Sequence, residues 1–405
     1  MKRKLALLTS PRGKMSLLAL LVVLIVSASG AIRRGPDRRL IPSIEYYKVP
    51  RSVGATSVVP DMSMGPIPWW NLTTGRPFWQ TVETMRDHGL TAIGVLQRAH
   101  PTINYWENIR RGFRTPGIDI IVIEPLHWAS TERGCVGGKN IRWQNIPPSI
   151  FEDLYGTYGG QNKIVIVQLT ETDWTVNGVG CRERDQCVTA GGYFSGYFEA
   201  CKQGTLVPYY EYDGGTDCAV IACDMVKLDR AEYLLNQMND LQAAAMAARA
   251  AHPNAKLRVF FSVEVNFFTD QFYIVARDLI SQMPVPPDFI GLSLYRDADD
   301  VVTAFNNVID WTGLPPWRIF VSEVGAREGT QSDGSYIDGT PQYDRIVPVV
   351  SALFDRGAAF ALVWSFEEVA YTGGHTGRAV IDSVTGEHLS GYDAIIELNE
   401  EYRHD

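Results

Sequence analysis

Eight short apolar runs alternate with stretches carrying the three- and four-residue spacing of amphipathic helices, and this pattern predicts an α/β protein folded as a (β/α)8 TIM barrel. The runs are mostly continuous in Val, Ile, Leu and Phe, as strands buried on both faces require. Each interval is long enough for the crossover that parallel neighbours need. A doubly wound open sheet is the structural rival, but no glycine-rich fingerprint follows the first run.

In order, a strand at 55–59 leads to a helix at 78–88, and a strand at 92–96 to a helix at 104–113. The strand at 118–123 precedes a helix at 149–158, and the strand at 163–169 precedes the longest helix, 225–252. On that helix Leu234, Leu235, Met238, Leu241, Ala245 and Ala248 share one side, leaving the other for water. Strands at 257–263, 289–294, 318–321 and 360–365 follow, each with a helix behind it at 270–282, 299–311, 342–356 and 392–402. One irregularity interrupts the repeat. Residues 172–227 form a long Cys-rich insertion after strand four, with five of the six cysteines and the aromatic cluster Tyr209, Tyr210 and Tyr212. It emerges on the C-terminal face, where barrel active sites lie, and reads equally as a functional loop or a stapled excursion.

The 405 residues are 45% hydrophobic and 20% charged, a globular balance that excludes disordered, collagenous and polytopic membrane classes. Residues 1–40 hold nine Lys or Arg against Asp37, a local +8 within a total of −9, which leaves −17 on residues 41–405. So acidic a body is a poor partner for nucleic acid or an anionic membrane surface. At the N-terminus Lys2, Arg3, Lys4, Arg12 and Lys14 precede an apolar run at 17–26 and the small residues Ser27, Ala28, Ser29, Gly30 and Ala31. Residues 1–31 therefore read as a signal peptide cleaved near 28–31, with a retained anchor as the alternative. Arg33, Arg34, Arg38 and Arg39 run against the positive-inside tendency expected of an anchor. Residues 32–50 would be a linker and 51–405 the barrel.

Cys135, Cys181, Cys187, Cys201, Cys218 and Cys223 fall within 89 residues. That clustering suits disulfides in a secreted protein. A zinc site lacks ligand spacing, having no CxxC pair and only His127 nearby. The short separations favour Cys181 with Cys187 and Cys218 with Cys223, among fifteen possible connectivities.

The residues after each strand would line one mouth, and they are rich in carboxylates. Strand two ends near Gln97 and His100, and strand three at Glu124, His127 and Trp128. Strand four ends at Thr170, Glu171, Asp173 and Trp174, strand five at Glu264 and Asn266, and strand six at Tyr295 and Arg296. Strand seven ends at Ser322, Glu323 and Gly325, and strand eight at Trp364, Glu367 and Glu368. Glycosidic cleavage needs two carboxyl groups across the scissile bond, one giving a proton and one attacking or stabilising positive charge. Strands four and seven lie across the ring from each other, so Glu171 and Glu323 can face one another, with Tyr295 placed to orient the nucleophile.

The ordered segments 290–295, 319–325, 362–366 and 378–382, about a third of the chain with the closing helix, resemble clan A glycoside hydrolases. These are retaining (β/α)8 enzymes whose acid/base follows strand four and whose nucleophile follows strand seven. The resemblance implies Glu323 as nucleophile, Tyr295 as its partner and Trp364 as a sugar-stacking platform. That family usually carries Asn-Glu after strand four, where this chain has Thr170-Glu171. A second assignment uses Glu264 with Asn266 as the strand-four equivalent. Glu124, His127, Trp128, Trp174, Glu264 and Asn266 are the remaining candidates for substrate contact. Each also has a duller reading: Glu323 as partner of Arg296 or Arg327, Glu124 as a hydrogen-bond acceptor, the histidines as satisfied structural groups, and the tryptophans as packing.

The sequence thus predicts a secreted glycoside hydrolase acting with retention on an oligo- or polysaccharide, with no metal or organic cofactor implied. Membrane attachment enters only if residues 1–31 are retained. A catalytically silent glycan-binding barrel is the first alternative. Another TIM-barrel hydrolase, such as a metal-dependent one with His100 and His127, is the second.

Overall fold

The computed structural model describes residues 49, 51–59, 81–98, 110, 112–126, 146–170, 172, 176, 199–203, 218–267, 272–295, 298–329, 341–366, 379–382 and 386–402. The chain divides into two compact units, residues 1–45 and 46–405, and the described residues all belong to the second.

Eight parallel strands close into a barrel in sequence order: β1 (Val53–Val59), β2 (Ala92–Arg98), β3 (Ile120–Leu126), β4 (Ile164–Leu169), β5 (Arg258–Asn266), β6 (Phe289–Leu294), β7 (Ile319–Val324) and β8 (Ala361–Val363). Pairing of Val53 with Ala361 and Ala55 with Val363 seals the ring. The helices are α1 (Thr81–Asp87), α2 (Ile150–Tyr158), α3 (Cys218–Ala251), α4 (Phe272–Gln282), α5 (Ala298–Thr312), α6 (Gln342–Phe354) and α7 (Ser390–Tyr402). The predicted strands are all found, and the ring excludes the open sheet. Of the helix expected at 104–113, residues 110 and 112–114 are helical and the rest lies outside the described residues.

Period-two alternation divides the strand residues between two cores. Ile121 and Ile123, Val165, Val167 and Leu169, Val263 and Val265, and Leu292 and Leu294 join the helices in one outer apolar layer. The alternate residues fill the lumen. At its N-terminal end Phe260, Phe289, Phe320 and Phe360 form a floor, with successive ring centroids 5.1, 6.5 and 4.5 Å apart. Beneath that floor the Arg249 guanidinium grips Asp288 through two contacts of 2.6 and 2.7 Å. The same carboxylate accepts the Phe261 N–H at 3.0 Å and the Gln242 amide at 3.2 Å, so every lone-pair direction is engaged. Burial pulls the neighbouring Arg318 down to about 10, against the pull of Asp288 in the other direction.

Two expectations need correction. The long helix opens at Cys218, not at Met225, so the insertion ends earlier than residue 227. Cys218 pairs with Cys201, 5.4 Å away between Cα atoms, and not with Cys223. Cys218 and Cys223 lie on one helix, where five residues rise about 7.5 Å and turn the side chains apart, beyond disulfide reach. Cys181 and Cys187 lie outside the described residues. Among the described residues, no helix is long and apolar enough to cross a membrane.

Candidate active site

Above the phenylalanine floor the lumen turns polar. Glu124 on β3 and Gln168 on β4 are fully buried, and the Gln168 amide donates to Glu124 Oε1 at 3.4 Å. The Ser262 hydroxyl on β5 donates to Gln168 Oε1, also at 3.4 Å. Gly291 on β6 makes room for this amide, since a Cβ there would stand 2.1 Å from Gln168 Oε1. Glu124 is thus a lumen acceptor below the mouth.

Nearer the mouth, Asn266, Ser293 and Glu323 are register partners across β5, β6 and β7. The Ser293 and Tyr295 hydroxyls both donate to Glu323 Oε2, each at 2.9 Å. Tyr295 and Glu323 are half-buried, whereas Ser293 is fully enclosed. Arg345 on α6 donates to the Tyr295 carbonyl at 2.9 Å, which steadies the end of β6.

Trp364 follows β8, half-buried, and its N–H donates to the Val324 carbonyl at 2.9 Å. The Trp364–Ser365 peptide bond is cis. Gly325 permits this approach, because a Cβ there would come within 2.8 Å of the Trp364 carbonyl oxygen. The β7 and β8 ends are therefore drawn together, with Glu323 on one and Trp364 on the other.

Glu264 and Asn266 lie on the lumen side of β5, alternating with the outer-layer Val263 and Val265, and are 2% and 7% exposed. Glu264 sits one layer below Asn266, so the strand that would carry it as acid/base is the fifth of the ring, not the fourth. The fourth ends at Leu169, and Thr170 and Thr172 beyond it are both buried. Glu171 between them lies outside the described residues, as do His127, Trp128, Trp174, His100, Asp173, Arg296, Glu367 and Glu368.

The site thus joins Tyr295 to Glu323, with Asn266 the strand partner of Ser293, Trp364 at the neighbouring strand end, and Glu264 and Glu124 buried in the lumen. Sequence reasoning missed Ser293 and Gln168. Their signal was a lone polar residue on the lumen phase of an otherwise apolar strand, Ser293 two positions before Tyr295 and Gln168 two before Thr170.

A closed parallel barrel with a carboxylate held between hydroxyls at its C-terminal mouth is the class of molecule the fold and site define. No protein-family model matches the chain, and no curated protein matches its sequence. Among solved structures it is similar to a beta-galactosidase from the Antarctic haloarchaeon Halorubrum lacusprofundi, with 12% identity over 87% of this chain and 58% of that one, TM-score 0.49. It is also similar to the GH53 catalytic domain of Ignisphaera aggregans, with 12% identity over 86% of this chain and 95% of that one, TM-score 0.45. A beta-galactosidase from Bacillus circulans gives 12% identity over 88% and 56%, TM-score 0.44. The chain therefore spans somewhat over half the length of the two galactosidases. The barrel itself is established by its own strand pairing.

Proposed function

We propose that this protein is a retaining glycoside hydrolase of the clan A type, with Glu323 as nucleophile and Glu171 as acid/base. The observation that carries the reading is the Glu323 carboxylate, gripped by Ser293 and Tyr295 at the mouth of a closed barrel. In the first step a Glu323 oxygen attacks the anomeric carbon while the glycosidic C–O bond breaks and Glu171 gives its proton to the departing oxygen. Water, deprotonated by the same Glu171, then attacks that carbon and releases the Glu323 carboxylate. Trp364 offers an apolar ring for a sugar face, and Asn266 and Glu264 offer polar groups for sugar hydroxyls. The substrate class is an oligo- or polysaccharide with O-glycosidic linkages. Export to an oxidising compartment is part of the same proposal, supported by the Cys201–Cys218 disulfide.

The test is turnover of 2,4-dinitrophenyl β-D-galactoside, glucoside and mannoside by the full chain and by Glu323→Ala. The variant should lose about 10⁴-fold or more in kcat, with azide restoring turnover as a glycosyl azide of inverted configuration. In the wild type, NMR of the first-formed sugar should show retained configuration. A second reading, a glycan-binding barrel without turnover, is favoured by buried Thr170 standing where an Asn would reach a sugar hydroxyl. It would be supported by glycan binding unaffected by Glu323→Ala with no hydrolysis of any of the three probes.

A further inference from the structure

On β7, Val321 and Val324 both belong to the outer apolar layer, although three positions apart. Strict alternation would place them on opposite faces. The register resolves the conflict: Leu292 pairs with Val321, but the next residue of β6, Ser293, pairs with Glu323, leaving Ser322 as the extra residue of a bulge. Without that shift Ser293 would stand opposite Ser322, and Glu323 would turn toward the helices. The bulge brings the carboxylate to the lumen side and level with Ser293.

Ser293 is fully buried, so it cannot meet a substrate, and among the described residues its hydroxyl donates to Glu323 Oε2 alone. Tyr295, two residues on and on the same face, reaches the same oxygen from the rim. A short arm at the level of the carboxylate and a long arm from above thus fix one oxygen, and the carboxylate plane follows.

We propose that Ser293 is a positioning residue for the nucleophile, and that the β7 bulge is the device that brings Glu323 within its reach. This rests on the reading of Glu323 as nucleophile. Released from Ser293, the carboxylate samples more orientations, and fewer of them attack.

With the same dinitrophenyl glycosides, Ser293→Ala in the full chain should lower kcat about 10- to 100-fold, the worth of one hydrogen bond to a charged group. KM should stay within about twofold, since Ser293 touches no substrate. Ser293→Thr, which keeps a hydroxyl, should recover most of the loss. Ser293→Ala with Tyr295→Phe should lose less than the product of the two single losses, because both act on one oxygen. Should Ser293→Ala fail to fold, Ser293→Cys, similar in size and a weak donor, replaces it. Wild-type kcat in the Ala and Cys variants, or an equal loss in the Thr and Ala variants, overturns the proposal while an inactive Glu323→Ala leaves the nucleophile standing. Wild-type turnover by Glu323→Ala, or hydrolysis of none of the probes by the wild type, overturns both.

Discussion

Glu328, five residues past Glu323, anchors the segment that leaves β7, and its loss should be felt by two helices at once. Its Oε2 accepts the Gln342 N–H at 2.7 Å at the start of α6, and its Oε1 accepts the Ser390 N–H at 3.1 Å at the start of α7. The Ser390 hydroxyl donates to Glu328 and accepts the Tyr343 N–H at 3.1 Å. Helix N-termini leave orphan N–H groups, and here one buried carboxylate serves those of both helices, with a negative charge at the positive end of each. Glu328→Ala removes the acceptor for both starts, at about 1 kcal/mol per cap. It also strands donors out of water, which adds about 1–2 kcal/mol. The expected loss is about 3–4 kcal/mol, or a melting temperature lower by roughly 4–5 °C for a barrel of this length. Urea unfolding followed by far-UV circular dichroism measures it, with Glu328→Gln, which keeps one acceptor oxygen, expected to lose about half as much. A Glu328→Ala chain within about 0.5 kcal/mol of wild type would show that the two starts are held by something else.

Two further outcomes follow from the N-terminal end of the barrel. Asp288→Ala should cost about 3–5 kcal/mol in the same unfolding experiment, because it leaves Arg249 and the buried Arg318 without their shared counter-charge; a loss under 1 kcal/mol would refute that account. Lys163 is buried, with its ammonium on the Thr115 and Ile118 carbonyls, and desolvation holds its pKa below the ordinary 10.5 despite Asp119. Between its folded pKa and 10.5 the unfolded chain binds more protons, so this group makes stability rise with pH in that window. Stability measured from pH 8 to 10.5 should rise more steeply in the wild type than in Lys163→Met, and parallel curves would refute the assignment.

The barrel was legible because its strands are buried on both faces, and apolar runs such as 163–169 and 289–294 stand out from helical periodicity. The start of α3 was not, since Cys218 to Met225 reads as part of the insertion and gains its helical form with the Cys201 bridge beside it. Pairing of Cys218 could not be read from spacing, because separation along the chain says nothing of which sulfurs a helix turns toward each other. Glu323 and Tyr295 were legible as a pair from their place at strand ends. Ser293 was not, because its contact exists only through the register shift at Ser322, and a bulge leaves no mark in composition. Lumen polarity was half legible: Glu124 and Glu264 were visible as carboxylates, but their depth below the mouth is set by barrel stagger that one strand alone does not encode.

The four phenylalanines at the N-terminal end of β5 to β8 turn that part of the lumen into hydrocarbon, two pairs meeting edge to face and one stacked. The polar lumen groups Gln168, Ser293 and Glu323 lie on the mouth side of that hydrocarbon layer. Changes in that layer bear on how long the fold survives, while leaving the polar groups nearer the rim in place.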